Sequence, residues 1–432
     1  MARQTTRPQR DWALYDWANS AFATTVMAGF FPLFFKQYWA DGLSVTDSTF
    51  WLGAGNSAAS LLVLLAAPLL GALADARGTH RRQLALFAAS GILATAAFFF
   101  ISRSQWEAAI ALYAIAVIGF SSANVFYDAL LPEVAGRDER HRVSAFGQAL
   151  GYLGGGLLFL VNVVMTLKPG WFGLADAGVA VRVSFLSVAV WWAVFSIPLL
   201  RSGPRKTDAG PARAVGTGSG VPFGRRLREA LRDLRCTLGE IRAHRNLWLF
   251  LIGYWFYIDG VATIIRMAVD YGMAIGLPAN SLITALLLVQ FIGFPATIAF
   301  GRLGTRIGPR RALMIALWVY LLATIAASVM STALEFYLLA GVLGLVQGGV
   351  QALSRSLFSQ LIPEHRSGQY FGFLNMIGKA AAVLGPVLVG TVAALTDSPR
   401  LGILSVIVLF AVGMAFLVRV DDGHVAPAAA RT

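Results

Sequence analysis

Gly71-Ala-Leu-Ala-Asp75-Ala-Arg77-Gly78-Thr-His-Arg81-Arg82 has a counterpart roughly half a chain later, Gly301-Arg-Leu-Gly-Thr305-Arg306-Ile-Gly308-Pro-Arg310-Arg311. Each stretch follows a long apolar run and opens another. A short, glycine-rich, basic segment between two such runs reads as a hairpin at a membrane surface, and two copies imply a duplicated helical bundle. Composition agrees. Hydrophobic residues make up 57% of the 432 and charged residues only 13%, so much of the surface must face lipid. Apolar runs of about 20 residues, the length that crosses hydrocarbon as a helix, lie near 12–36, 49–74, 83–101, 106–130, 143–166 and 180–200. A second set lies near 247–271, 281–301, 312–331, 334–358, 369–395 and 399–420. The expected fold class is an all-α integral membrane protein with twelve transmembrane helices in two six-helix bundles.

A net charge of +13 invites a nucleic-acid reading, which the placement of the basic residues excludes. Counting loops from a cytoplasmic N-terminus puts Arg3, Arg7, Arg10, Arg77, Arg81, Arg82, Arg137, Arg140, Arg142, the dense 201–245 stretch, Arg302, Arg306, Arg310, Arg311, Arg366, Arg419 and Arg431 inside. Only Lys36, Arg103, Lys168, Arg182 and Arg400 fall outside. By the excess of Lys and Arg on cytoplasmic loops, both termini are expected in the cytoplasm. The first apolar run carries Asp16 and Asn19 and lacks a small-residue cleavage site, so it reads as a permanent helix rather than a signal peptide. The single cysteine, Cys236, excludes an intrachain disulfide and a cysteine metal cluster.

Three regions are expected: an N-terminal six-helix bundle over 1–200, a cytoplasmic linker over 201–245, and a C-terminal six-helix bundle over 246–432. The linker opens with a Gly, Pro, Ala and Arg-rich tract. From Phe223 onward Leu227, Leu231, Leu234, Leu238 and Ile241 recur at steps of four and three, with Arg225, Arg228, Arg232 and Arg235 between them. This predicts an amphipathic basic helix on the anionic inner leaflet.

The halves also match beyond the hairpins. Leu131-Pro132-Glu133 followed by Phe146-Gly147 is answered by Ile362-Pro363-Glu364 followed by Phe371-Gly372. The first hairpin, over Gly71, Asp75, Arg77, Gly78 and Arg81, resembles the signature loop between helices two and three of the major facilitator superfamily. The runs Tyr15-Asp16-Trp17-Ala18-Asn19-Ser20, Phe126-Tyr127-Asp128-Ala129-Leu130-Leu131-Pro132, Tyr257-Ile258-Asp259-Gly260 and Gln351-Ala352-Leu353-Ser354-Arg355 resemble its vacuole-effluxer-like branch, related to autophagy-linked vacuolar amino-acid exporters. The resemblance covers nearly the whole chain. It implies the major facilitator fold, alternating access and, for the vacuolar members, amino-acid efflux.

Polar residues inside the apolar runs supply the candidate site. A charge at mid-bilayer costs about 2.5–3.5 kcal/mol on insertion scales and faces the bundle interior. In the seventh run Asp259, Thr263, Arg266 and Asp270 are spaced four, three and four, one helical stripe. The tenth run has Gln347, Gln351 and Arg355, the fourth Asn124 and Asp128, the first Tyr15, Asp16 and Asn19, the eleventh Asn375 and Lys379. The resemblance places helices one, four, seven and ten around the central cavity.

Arg266 and Asp270 are close enough to pair along one helix. Asp259 and Lys379 lack a counter-ion within a turn. The resemblance implies that the eleventh helix packs beside the seventh, and the two are then expected to form a buried pair that substrate or a proton opens, or else a permanent interhelical salt bridge. Asn19, Asn124, Gln290, Gln347, Gln351 and Asn375 can bind substrate or simply bond between helices. Asp16 and Asp128, nearer the cytoplasmic ends, are expected at the gate, with Gly71, Asp75, Arg77, Gly78 and Arg81 of the first hairpin.

Gly147, Gly151, Gly154, Gly155 and Gly156 read as close helix packing rather than an antiporter motif, since Tyr152 stands where the motif has proline. His80, His141, His244, His365 and His424 are expected on solvated surface. No phosphate loop, metal cluster or nucleophile with its base is present in the sequence, so an enzyme is not expected. The expected activity is secondary active transport of a small polar organic solute, an amino acid or peptide-like zwitterion. Alternatives are proton-linked efflux of hydrophobic compounds and a non-transporting membrane sensor or assembly protein. Expected partners are the solute and membrane lipid, without nucleic acid; no cofactor beyond a proton gradient is expected. A monomer in the bacterial inner membrane is expected.

Overall fold

The computed structural model of the chain describes residues 5–43, 51, 55, 58–59, 61–63, 66, 70, 74, 79–202, 232, 236–274, 279–363, 366–381 and 384–421. The regular elements among them are all helical. Helix α1 (Arg7–Ala21) starts where the Thr6 N–H is held by Gln9 Oε1 at 3.1 Å. Pro8 lies in its first turn, where a missing N–H leaves no bond unmade.

The same helix continues as a π-helical segment, Phe22–Phe30, an α-helical turn, Phe31–Phe34, and a second π-helical stretch, Phe35–Trp39. The Phe31 N–H reaches back five residues to the Val26 carbonyl, and the Ala40 N–H to the Phe35 carbonyl at 2.7 Å. Pro32 supplies a reason. In an α-helix its ring would press on the carbonyl four residues earlier, that of Ala28, and a wider turn ahead of it removes the clash.

The remaining long helices are α2 (His80–Ala97), α3 (Trp106–Ala129), α4 (Arg140–Leu167), α5 (Ala177–Arg201), α6 (Arg245–Ala274), α7 (Ala279–Ile307), α8 (Pro309–Val329), α9 (Ala333–Leu361), α10 (Ser367–Ala381), α11 (Leu384–Thr396) and α12 (Ile407–Leu417). Several starts are written locally. Asp176 Oδ1 accepts the Val179 N–H at 2.8 Å ahead of α5. Thr332 and Glu335 exchange bonds of 3.3 and 3.0 Å in a capping box ahead of α9.

Ten helices among the described residues are long and apolar enough to cross a membrane. Their outward faces carry side chains such as Leu93, Leu322 and Val329, each at least 60% exposed, which only a lipid surrounding makes favourable. The twelve expected runs differ from these ten in two places. The run at 49–74 falls mostly outside the described residues, and in the run at 369–395 residues 382–383 lie outside them, with α10 and the apolar α11 helical on either side. Of the expected amphipathic helix in the linker, residues 236–243 are helical and 203–231 lie outside the described residues.

The chain folds into two compact units, and these are not contiguous halves. Unit 1 comprises Met1–Ala135, Gly147–Leu234 and Glu364–Lys379; unit 2 comprises Gly136–Phe146, Arg235–Pro363 and Ala380–Thr432. The opening of α4 thus belongs to the second unit, and most of α10 to the first.

Within unit 1, α1 packs on α5, and α2 packs on α3 and α5. The α4 glycines lie against α1. A Cβ on Gly154 would come within 2.7 Å of the Trp17 carbonyl, and one on Gly155 within 3.0 Å of the Ser20 carbonyl. Ser367 Oγ donates to the Ala129 carbonyl at 2.9 Å. Within unit 2, α9 packs on α7 and α8, and α6 on α12. Arg140, fully buried, donates to the Ser359 carbonyl at 2.6 Å, and Ser144 Oγ to the Ala352 carbonyl at 2.9 Å. Arg310 Nη1 reaches the carbonyls of Val418 and Val420 at 2.8 and 2.6 Å, closing the end of α12.

Gly154→Ala should lower stability by about 1–3 kcal/mol, because the methyl meets backbone that cannot rotate away. Gly136→Ala, with nothing within 4 Å of its added Cβ, should be neutral. Thermal unfolding of the two variants in detergent compares them.

Candidate functional site

In unit 1 the candidate residues gather where α1 and α3 meet. Tyr127 OH donates to Asp16 Oδ2 at 2.8 Å, and Trp12 Nε1 donates to the Tyr127 carbonyl at 3.0 Å. Trp12 also stacks on the Tyr127 ring at 4.3 Å, with Tyr15 tilted against it at 5.0 Å. One turn further along α1, Asn19 Nδ2 donates to Asn124 Oδ1 at 2.6 Å. Asp16 and Asn19 are buried.

On α3, residues 121–123 and 125–127 are buried while Phe120, Asn124 and Asp128 are only half-buried. The four-residue step keeps these three on one face. Tyr127, which bonds to Asp16, is one of the buried positions beside that face.

In unit 2 the same pattern recurs on α9. Residues 348–350 and 352–354 are buried, and Gln347, Gln351 and Arg355 between them are half-buried. Tyr257 OH and Ser354 Oγ share a hydrogen bond of 2.8 Å behind this face. Asp259, in the middle of α6, has no exposed surface. Its two oxygens lie 3.1 and 3.0 Å from the Gly385 backbone N–H, and Thr263 Oγ1 donates to Oδ1 at 3.4 Å. Gln290 on α7 is buried.

The other candidates divide as follows. Asn375 Nδ2 donates to the Phe371 carbonyl of its own helix at 3.0 Å, a local bond rather than an interhelical one. Arg81 Nη2 stands 3.6 Å from Glu133 Oε2, and His80 Nδ1 stands 3.7 Å from Glu133 Oε1. The side chains of Arg266, Asp270 and Lys379 lie outside the described residues, as do Gly71, Asp75, Arg77 and Gly78, so the expected Asp259–Lys379 and Arg266–Asp270 pairs fall there too.

Two histidines depart from the expected solvated state: His80 is 8% and His141 6% exposed. Both lie in the first turn of a helix, His80 facing Glu133 and His141 lying across from Gly304. His244 is exposed, and His365 and His424 lie outside the described residues.

Sequence spacing did not reveal Tyr127, Gly385 or Arg140 as partners. Tyr127 stands inside a run noted only for its resemblance, and Arg140 is among the loop charges.

A family described as vacuole effluxer Atg22 like matches residues 42–429. The uncharacterized MFS-type transporter YxiO of Bacillus subtilis is 34% identical over 424 residues, covering 98% of this chain and 96% of that protein. Autophagy-related protein 22 of Yarrowia lipolytica is 28% identical over 319 residues; the match takes in 66% of this chain and 51% of the fungal protein, so the chain spans about half of that relative. Among solved structures, the human organic anion transporter MFSD10 superposes with a TM-score of 0.68 at 16% identity, over 95% of this chain and 99% of the other.

Tyr127→Phe removes the hydroxyl donor to a buried carboxylate and should cost about 1–3 kcal/mol. Asp16→Asn keeps an acceptor for that hydroxyl and should cost less. Paired thermal-unfolding measurements read the difference, and equal stability of Tyr127→Phe and the parent would contradict the assignment.

Proposed function

The chain belongs to the vacuole effluxer Atg22-like family and is an MFS-type multi-pass membrane transporter, and from that premise we propose that it moves a small polar organic solute by alternating access. The solute class is an amino acid or a peptide-like zwitterion, and transport is secondary and proton-coupled. Family and fold are those of transporters, not of enzymes.

The observation that carries the solute class is the pair of half-buried polar lines, Asn124 with Asp128 on α3 and Gln347, Gln351 and Arg355 on α9. Such lines offer amide and charged partners to a solute bearing both signs of charge. Asn19, held to Asn124, belongs with the first line. Asp259 is the proposed proton carrier: a carboxylate without exposed surface amid lipid-spanning helices is costly to keep unless it has work to do. Lys379 is its proposed basic counterpart, and Asp16, Asp128, Arg81 and the first hairpin serve the cytoplasmic gate.

In this reading twelve helices span a bacterial inner membrane with both termini inside. The arginine-rich loops rest on the anionic leaflet, and a monomer suffices without any cofactor besides the proton gradient.

Efflux of hydrophobic compounds is a second reading, favoured by one feature. A groove of about 490 Å³ on unit 1 is lined by Leu158, Val183, Leu186, Val190, Trp191 and Phe195 among others. It offers little polar contact, and the polar lines would have no use in such a reaction.

Proteoliposomes carrying the full chain, assayed for counterflow of amino acids, dipeptides, sugars and apolar dyes with and without a pH gradient, test these alternatives. Saturable amino-acid or dipeptide counterflow stimulated by the gradient is expected, with dye transport the outcome that favours the second reading. Asp259→Asn should keep counterflow and lose the stimulation; unchanged proton dependence would remove Asp259 from the coupling path.

A further inference from the structure

Helix α5 carries one charge on an otherwise apolar, lipid-facing ridge. Arg182, Leu186, Val190 and Val194 follow at steps of four, which keeps them along one side of the helix. Leu186, Val190 and Val194 are exposed and line the groove of about 490 Å³ on unit 1. Trp191, Phe195 and Leu158 complete its wall. Trp17 of α1 fixes the aromatic part of that wall. Its ring stacks on Trp191 at 5.3 Å and meets Phe195 edge-on at 5.9 Å, and its carbonyl accepts from Trp191 Nε1 at 3.1 Å. Ser187 also belongs to the lining, but its hydroxyl is spent on the protein, within 3.1 Å of Asn162 Oδ1 and 2.8 Å of the Ser184 carbonyl.

Arg182 heads this ridge, and no carboxylate among the described residues pairs with it. Its guanidinium lies 5.8 Å from the centre of the Tyr38 ring, and its Nε is buried with no acceptor among those residues. Asp41 is engaged by Arg103 at 2.7 Å, and Asp176 caps the start of α5 through the Val179 N–H at 2.8 Å. A helical side chain leans toward the N-terminus of its own helix, so the charge is carried toward the end of α5 at Ala177. At that end the connection from α4 exposes Trp171, an amphipathic ring of the kind that settles at headgroup level.

We propose that this ridge binds one phospholipid, with the phosphate on Arg182 and one acyl chain along the groove. The dimensions fit. From Arg182 to Val194 the helix rises about 18 Å, close to the depth of one leaflet, about half of a 30 Å hydrocarbon core. A methylene takes up about the 30 Å³ of a water molecule, so the groove holds a chain of about sixteen carbons. Lipid tails are as apolar as leucine, so the groove alone gives little preference; the charge-assisted bond from Arg182 to phosphate supplies it. A polar solute finds no partner in the lining. A second copy docked through the same patch would bring no acid to the guanidinium, because the ridge carries none. The site stands apart from the solute path proposed above, and its failure leaves that reading intact.

Phosphatidylglycerol with a diazirine on one acyl chain, mixed into phosphatidylethanolamine and phosphatidylglycerol nanodiscs holding the full chain, tests this. Photolabelling is expected on peptides spanning 183–195. Arg182→Gln should lower it about ten-fold, the scale of one charge-assisted bond. Val190→Trp, which fills the groove, should lower it with Arg182 intact. Lys168→Gln, which removes an exposed charge from the same end, should label like the parent. A fatty alcohol carrying the same diazirine but no phosphate should label 183–195 equally in the parent and in Arg182→Gln.

If Arg182→Gln fails to fold, Val190→Trp carries the test. Parent-like phospholipid labelling in whichever of these two variants folds overturns the site. So does an equal loss in Lys168→Gln, which would mean that surface charge in general attracts the probe. A ten-fold loss of fatty-alcohol labelling in Arg182→Gln also overturns it, since Arg182 would then shape the groove rather than hold phosphate. A dimer in native mass spectrometry that Val190→Trp dissociates would give the ridge to a second copy instead.

Discussion

The absent side chains on α4 let α1 lie against it at backbone contact distance, and the first unit is arranged around that approach. Between helices in lipid there is little hydrophobic force, so association depends on close packing and on hydrogen bonds made across the contact. At Gly147 the space of a missing Cβ is taken by Trp12, Asp16 Oδ2 and Tyr127 OH, the nearest atoms standing 2.7, 2.9 and 3.1 Å from where that carbon would be. The hydrogen-bonded pair of Asp16 and Tyr127 thus occupies room that a larger residue would have filled. Further along, Ser20, Thr24 and the Trp17 carbonyl sit over Gly151, Gly155 and Gly154 in turn. Packing and site construction are one event here: the contact that seats α1 also sets the direction in which Asp16 and Asn19 point.

What could be read in advance was whatever repeats along a single helix. The four-residue spacings of Asn124 with Asp128, and of Gln347, Gln351 and Arg355, place each set on one helical face, and those positions are the half-buried ones between buried neighbours. Glycines read as packing residues lie at a helix contact. Pairings between distant segments left no such trace. Nothing in the local pattern joins Asp16 to Tyr127 or Asp259 to the Gly385 N–H, because each depends on which helices become neighbours. Arg140 shows the same limit in another form. Its charge placed it on a loop surface, but the opening turn of α4 is drawn into the second unit, where the guanidinium satisfies a carbonyl at the end of α9.

The residues that follow the two repeated stretches are put to different uses. Aligning Gly71 with Gly301 sets His80 opposite Arg310. Arg310 closes the end of α12 through two carbonyls, whereas His80 and the neighbouring Arg81 both face Glu133 after α3. One copy holds a helix terminus by hydrogen bonds to backbone. The other gathers a carboxylate between two side chains, an arrangement sensitive to the identity of each partner.

The π-helical stretches ahead of and behind Phe31–Phe34 have a consequence for counting. A π turn takes up one residue more than an α turn, so the angular phase of the first helix is broken twice between Ala21 and Ala40. A position near Lys36 cannot be assigned to a face by stepping forward from Tyr15 in units of 3.6 residues. Aligned against a relative whose first helix is α-helical throughout, this segment would accommodate an unmatched residue without disturbing either flank. The proline at 32 marks where to look for that offset.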